Sequence, residues 1–88
     1  MNNPVAYLPG EELKGSQEQI DFYALISGRK VSCAISFEAL VTNFGGDLKE
    51  PMKSFKENRT KIEATATKYI QLKRFEKDGS IFLHLADF

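Results

Sequence analysis

Between residues 20 and 35 apolar side chains recur with a period of two. Ile20, Phe22, Ala24 and Ile26 occupy one phase, and Val31, Cys33 and Ile35 resume it after Ser27-Gly28-Arg29-Lys30. That period puts every second side chain on one face of a pleated strand, so each run reads as a strand with one buried face. The connection carries a glycine that takes positive φ without steric cost, and the two runs together predict a β-hairpin. The pattern then changes. Phe37, Leu40, Val41 and Phe44 follow helical spacing, with Ser36 placed as N-cap and Gly45-Gly46 as the stop. A second helix is expected to begin at Pro51, whose missing N–H costs nothing in a first turn, and to run to Leu72 or a little beyond. On it Met52, Phe55, Ile62, Ala66, Tyr69 and Ile70 fall within about 100° of arc. Lys73 and Arg74 complement the negative end of its dipole. Asp78-Gly79 signals a turn, and Ile81, Leu83 and Leu85 predict a last strand.

The order is therefore β-β-α-α-β. The expected fold class is α+β: a small antiparallel or mixed sheet, covered by helices on one face. Residues 1–18 are poor in apolar side chains and hold Pro4, Pro9, Gly10 and Gly15. They read as an N-terminal arm, loosely held or docked through Val5, Tyr7 and Leu8, leaving residues 19–88 as a single α+β domain. The outward phase of the strands is less polar than a solvated sheet face should be. Tyr23 and Leu25 lie in that phase on the first strand, Ala34 on the second, and Phe82 with His84 on the third. Either the arm covers this face or a second copy of the chain does. The expectation leans to a homodimer, with Tyr23, Leu25, Phe82 and His84 as the dimer face.

Length and composition narrow the function classes. At 88 residues and 9.9 kDa there is room for one domain, and 42% hydrophobic with 27% charged residues excludes a disordered chain. One Cys cannot form an intramolecular bridge and fits a reducing compartment, so the cytoplasm is the expected location. Near the N-terminus the apolar run is only Val5 to Leu8, short of a secretory leader, and no stretch approaches the roughly 18–20 apolar residues of a membrane span. No membrane association is expected.

Twelve Lys and Arg balance twelve Asp and Glu, so no global field favours polyanions. Locally the balance is uneven. Residues 48–75 hold eight Lys and Arg against three Glu, and Lys49, Lys53, Lys56, Lys61, Lys68, Lys73 and Arg74 could present a positive face to phosphates. Glu50, Glu57 and Glu63 interrupt the run, so nucleic acid is a candidate partner and not the favoured one. Within the stripe Arg59 stands out. With Phe55 at zero on the helical wheel it falls near 40°, inside the apolar arc. A guanidinium there stays charged and must find partners. Glu38 and Asp87 are candidates for a structural ion pair; the sharper alternative is an anion site, with Asn58, Lys53 and Lys56 beside Arg59.

Catalytic signatures are missing. The chain has no Gly-x-Gly-x-x-Gly, no Gly-Lys-Ser/Thr phosphate loop and no His-Glu-x-x-His, and a single His does not make a His-based metal cage. Cys33 shares the buried phase of Val31 and Ile35, whereas His84 lies in the opposite phase, so nothing in the spacing favours a Cys–His dyad. Glu11-Glu12 lie in the arm, where nothing is expected to hold their geometry. No enzymatic activity, cofactor or metal is expected.

Several spaced motifs carry a resemblance. They are the hairpin glycine Gly28, Cys33 in the second strand, the helix start Ser36 to Leu40, the pair Asn58-Arg59, Ile62-Glu63 and the closing Asp87-Phe88. In these the chain, over residues 20–88, resembles the small bacterial proteins of the domain of unknown function 1488 family. The resemblance implies an α+β fold and a bacterial cytoplasmic setting, and it supplies no activity, cofactor or binding residue. It makes Arg59 a motif residue as well as the odd member of the apolar stripe. The expected function is that of a non-enzymatic accessory or regulatory protein acting through contacts with an unknown protein partner. The alternative is a nucleic-acid-binding transcriptional regulator using the basic helix around residues 49–74.

Overall fold

The computed structural model describes residues 5–45 and 49–84. The chain runs through β1 (Val5–Lys14), a 3-10 turn (Gly15–Gln17), β2 (Gln19–Ile26), β3 (Arg29–Ser36), α1 (Phe37–Phe44), α2 (Pro51–Glu57), α3 (Arg59–Gln71) and β4 (Ile81–Leu83). The strands form one mixed sheet in the order β1-β2-β3-β4. The first three pair antiparallel, and β4 pairs parallel with β3. A parallel neighbour cannot be reached by a hairpin, so the three helices serve as the crossover from β3 to β4. The fold is α+β, with the helices packed on one sheet face.

The hairpin closes through two residues, with Ile26 opposite Arg29. Ser27 and Gly28 have φ of 50° and 80°. Positive φ at both central positions is the type I′ geometry whose twist matches the flanking strands. At the end of β3 the Ser36 hydroxyl accepts a hydrogen bond from the Ala39 amide at 3.1 Å and caps α1. Gly45, at φ 67°, ends that helix; Gly46 lies outside the described residues, as does Leu85 of the expected last strand.

Two features differ from the sequence-based expectation. The segment read as a loosely held or docked arm is, from Val5 onward, the edge strand β1. Val5 faces Ile26 and Tyr7 faces Ala24, so both contribute to the buried side. Its pairing is interrupted where the pattern was unreadable. Leu8 stands opposite Tyr23 and Glu12 opposite Asp21, so Pro9, Gly10 and Glu11 together face Phe22. An edge strand tolerates such a bulge, and Pro9, with no N–H to donate, belongs there. The second difference is that the long helix is two helices. Asn58 adopts φ −116°, ψ 16° between α2 and α3, and its side-chain amide donates to the Ser54 carbonyl at 2.9 Å. Asparagine competes with the backbone in this way, which turns the axis after Glu57.

The core lies between the inner sheet face and the helices. Ile20, Phe22, Ala24, Cys33, Ile35, Ile81 and Leu83 meet Ala39, Leu40, Phe55, Ile62, Ala66 and Ile70. Phe22 and Phe55 are the largest of these, with ring centroids 5.3 Å apart. One polar side chain is enclosed with them: the Ser54 hydroxyl is buried without a hydrogen-bond partner among the described residues. Desolvating a hydroxyl without replacing its bonds to water is unfavourable, and alanine is the better helix former. Ser54→Ala should therefore raise stability by up to about 1 kcal/mol, seen as a higher midpoint in urea denaturation. A lower midpoint would show that the hydroxyl is bonded in solution.

Candidate interaction surface

The pleat sends the second phase of each strand to the face opposite the helices. Its cross-strand rows follow from the register: Ala6–Leu25–Lys30, Leu8–Tyr23–Ser32, and Glu12–Asp21–Ala34–Phe82. No residue of these rows belongs to the buried core cluster. Leu8, Tyr23, Leu25 and Phe82 are half-buried, and they make the apolar part of this face, contributed by β1, β2 and β4. Phe82 and His84 stack in a tilted pair with centroids 4.4 Å apart, which puts His84 on this face too. Ala34 is only 7% exposed here because a methyl group sinks below its larger neighbours. Charged groups of both signs rim the centre. Lys30 Nζ lies 4.2 Å from the centroid of the Tyr23 ring, and Lys14 pairs with Glu12 at 2.9 Å.

The four residues expected on this surface, Tyr23, Leu25, Phe82 and His84, thus share one face. Leu8 was not anticipated as a member of it. The signal was present: Val5-Ala6-Tyr7-Leu8 is a continuous apolar run, the pattern of a strand apolar on both sides.

A different cluster forms at the bend between α2 and α3. Arg59 donates through Nη2 to Glu11 Oε1, its Nη1 lies 3.6 Å from Glu63 Oε2, and its Cζ sits 5.2 Å above the Phe55 ring. The bulge in β1 is what carries Glu11 to this position. Glu11 and Glu63, not Glu38, are therefore the partners, and Asp87 lies outside the described residues. The expectation that nothing would hold the Glu11-Glu12 pair is overturned: Arg59 grips one carboxylate and Lys14 the other. The guanidinium pulls the Glu11 carboxyl below its usual range, chiefly by hydrogen bonding. Nearby, the Tyr7 hydroxyl donates to the Glu63 carbonyl at 2.9 Å and meets the Thr67 hydroxyl at the same distance, pinning β1 to α3. Burial raises the Tyr7 phenol to about 12.

The other residues of the sharper anion-site reading are spread out. Asn58 is spent on the helix bend, and Lys53 is exposed, 3.9 Å from Glu50. Lys56 is exposed on α2. Lys61 and Lys68 share the solvent side of α3, seven residues apart. Cys33 and His84 are separated by the sheet, one on each face. Burial pushes the Cys33 thiol up to about 12, and its Sγ lies 3.8 Å from the Val31 carbonyl. Such a thiol carries negligible thiolate at neutral pH. Among the described residues no three His, Cys, Asp or Glu side chains gather as a metal site, and no helix is long and apolar enough to cross a membrane.

A family model described as a protein of unknown function (DUF1488) matches residues 7–83. The chain belongs to the DUF1488 family. The match takes in most of β1, beyond the residues 20–88 that carried the resemblance in the sequence. Uncharacterized protein YrdB of Escherichia coli (strain K12) is 32% identical over 84 residues, covering 94% of this chain and 99% of that protein. Uncharacterized protein YrdB of Shigella flexneri matches to the same extent. A crystal structure of a DUF1488-family protein of unknown function from Shewanella loihica PV-4 superposes with a TM-score of 0.84 at 22% identity, covering 94% of each chain. The residues that carried the resemblance in the sequence fall on structural duties here. Gly28 makes the turn, Cys33 fills core, Ser36 caps α1, Asn58 sets the bend and Arg59 holds Glu11.

Proposed function

We propose that this chain is a non-enzymatic accessory or regulatory protein that works through protein contacts, made by the outer face of its sheet, and that it pairs there with a second copy of itself. The observation that carries the reading is the apolar centre of Leu8, Tyr23, Leu25 and Phe82, left without a covering layer among the described residues. A sheet with one solvated face alternates cleanly, and this one does not. Charge favours a like partner. The rim carries Lys14 and Lys30 beside Glu12 and Asp21, so a two-fold related copy brings both signs to both edges. A formal net charge of zero leaves little self-repulsion to oppose the pairing.

Leu25 lies in the row Ala6–Leu25–Lys30 of that face and outside the core. Leu25→Asp is expected to move the mass in light scattering from dimer to monomer and to leave the circular dichroism of the fold unchanged. An unchanged mass would remove the argument for this interface. The nucleic-acid alternative rests on the lysines of α2 and α3, and it has lost Arg59, whose charge is already matched by Glu11 and Glu63. Fluorescence anisotropy of labelled duplex and single-stranded DNA at low salt tests it. Binding that falls steeply with salt, and is lost in Lys53→Glu/Lys56→Glu, would favour that alternative over the present reading.

A further inference from the structure

At the end of the molecule where the hairpin turns, a cleft of about 740 Å³ opens between the start of β1, the β2–β3 connection and the C-terminus of α3. This is within the range of small-molecule sites. Four aliphatic side chains, Val5, Ile26, Val31 and Ile70, line it beside the more polar Ser27 and Gln71, with Val31 and Ile70 nearly buried. Phe75, in the loop after α3, adds an aromatic edge that is 39% exposed. Two cations line the same space, Arg29 and Lys73. Neither has an ion-pair partner among the described residues, and no described residue lining the cleft is acidic.

The way Lys73 is presented is unusual. The amides of Lys73 and Arg74 return to the carbonyls of Ile70 and Tyr69 at 3.0 and 2.9 Å, closing α3 in a Schellman motif. The left-handed residue of that motif is usually glycine, yet here it is Lys73 at φ 59°. Ser27, another non-glycine residue at positive φ, lines the cleft as well. A side chain kept where glycine would be less strained points to a use for that side chain. The bonded carbonyls at the helix end also leave less negative charge facing the cleft.

We infer that this cleft binds a small ligand with an aliphatic body and one anionic head, a medium-chain carboxylate, its chain against Val5, Ile26, Val31 and Ile70 and its head between Arg29 and Lys73. Two cations over aliphatic side chains suit a single carboxylate better than a polyphosphate, which needs many polar donors. The site is on the helix side of the sheet and is independent of the outer face.

The test is an NMR titration of the ¹⁵N-labelled full chain with octanoate, 1-octanol and octylammonium. Octanoate is expected to give saturable amide shifts at Ile26, Val31 and Ile70 and to bind more tightly than the other two. Arg29→Gln should weaken octanoate about fivefold, the size of one exposed charged contact. Lys73→Gly separates binding from folding, because it removes the cation and relieves the positive φ together. It should also weaken octanoate about fivefold while its melting temperature holds or rises. The inference fails if octanoate gives no saturable shift, or if the shifts centre on Leu25 and Phe82. It fails equally if octanol or octylammonium binds as tightly, or if Lys73→Gly leaves the affinity unchanged.

Discussion

Phe55→Ala is expected to cost about 3–5 kcal/mol of unfolding free energy. A domain of this size has only about 4–13 kcal/mol in total, so the variant should give up a large share of its stability. Phe55 is wholly buried, and it is the side chain through which the elements meet. Its ring packs on Phe22 of β2, whose ring is in turn 6.1 Å from that of Tyr7 in β1, and the Arg59 guanidinium of α3 sits over it. Removing the ring opens a cavity between β2, α2 and α3, which cannot all move in to fill it. Urea denaturation followed by circular dichroism measures the loss, and Phe55→Leu, which keeps much of the volume, should lose less. An alanine variant with the wild-type midpoint would show that this ring does not organise the core.

How much of this arrangement can be read from the chain depends on how strictly local the signal is. The hairpin, the Ser36 cap and the stripe of Phe55, Ile62, Ala66 and Ile70 are set by period and by side chains within a few positions of one another, and all are present. The edge strand was hidden for a physical reason. Its apolar run lasts only from Val5 to Leu8 before Pro9 and Gly10 make the bulge, and a segment holding two prolines and two glycines reads as unstructured. What makes it a strand is the pairing offered by β2, a tertiary effect absent from any local window. The break at Asn58 was hidden differently. Helical phase survives the bend well enough to keep Phe55 and Ile62 on one side, so the wheel gave no warning. The outer face was legible residue by residue through Tyr23, Leu25, Phe82 and His84, since phase alone assigns it. The cleft was not, because it joins β1, the hairpin turn and the end of α3, which only the folded chain brings together. The same holds for Glu11 as the partner of Arg59: 48 residues separate them, and a bulge sets their meeting.

That meeting gives the second large effect. Arg59→Met keeps the apolar stem over Phe55 and removes the charge from two carboxylates whose side chains are only 14% and 22% exposed, Glu11 and Glu63. The expected loss is about 1–2 kcal/mol, between a surface pair and a fully buried one because Arg59 itself is 32% exposed. The loss should depend on pH in a definite direction. Arg59 holds the Glu11 carboxyl below its ordinary 4.5, so the folded form binds that proton less readily than the unfolded chain. Stability from the pair is therefore fully present above the unfolded value and is lost as the pH falls through the folded one. Wild type should weaken as acid is added below about pH 4.5, and Arg59→Met should show a shallower slope there and the full deficit at neutral pH. Glu12 and Asp78 also have lowered values, held by Lys14 and by Ser80, but they are common to both proteins and cancel in the comparison. Glu11→Gln alone, and combined with Arg59→Met, completes a double-mutant cycle whose coupling should be at least about 0.5 kcal/mol. Parallel acid slopes in wild type and Arg59→Met, with no coupling in the cycle, would mean that the guanidinium does not hold Glu11 in solution. In that case the charge inside the apolar stripe would be free for an anion after all.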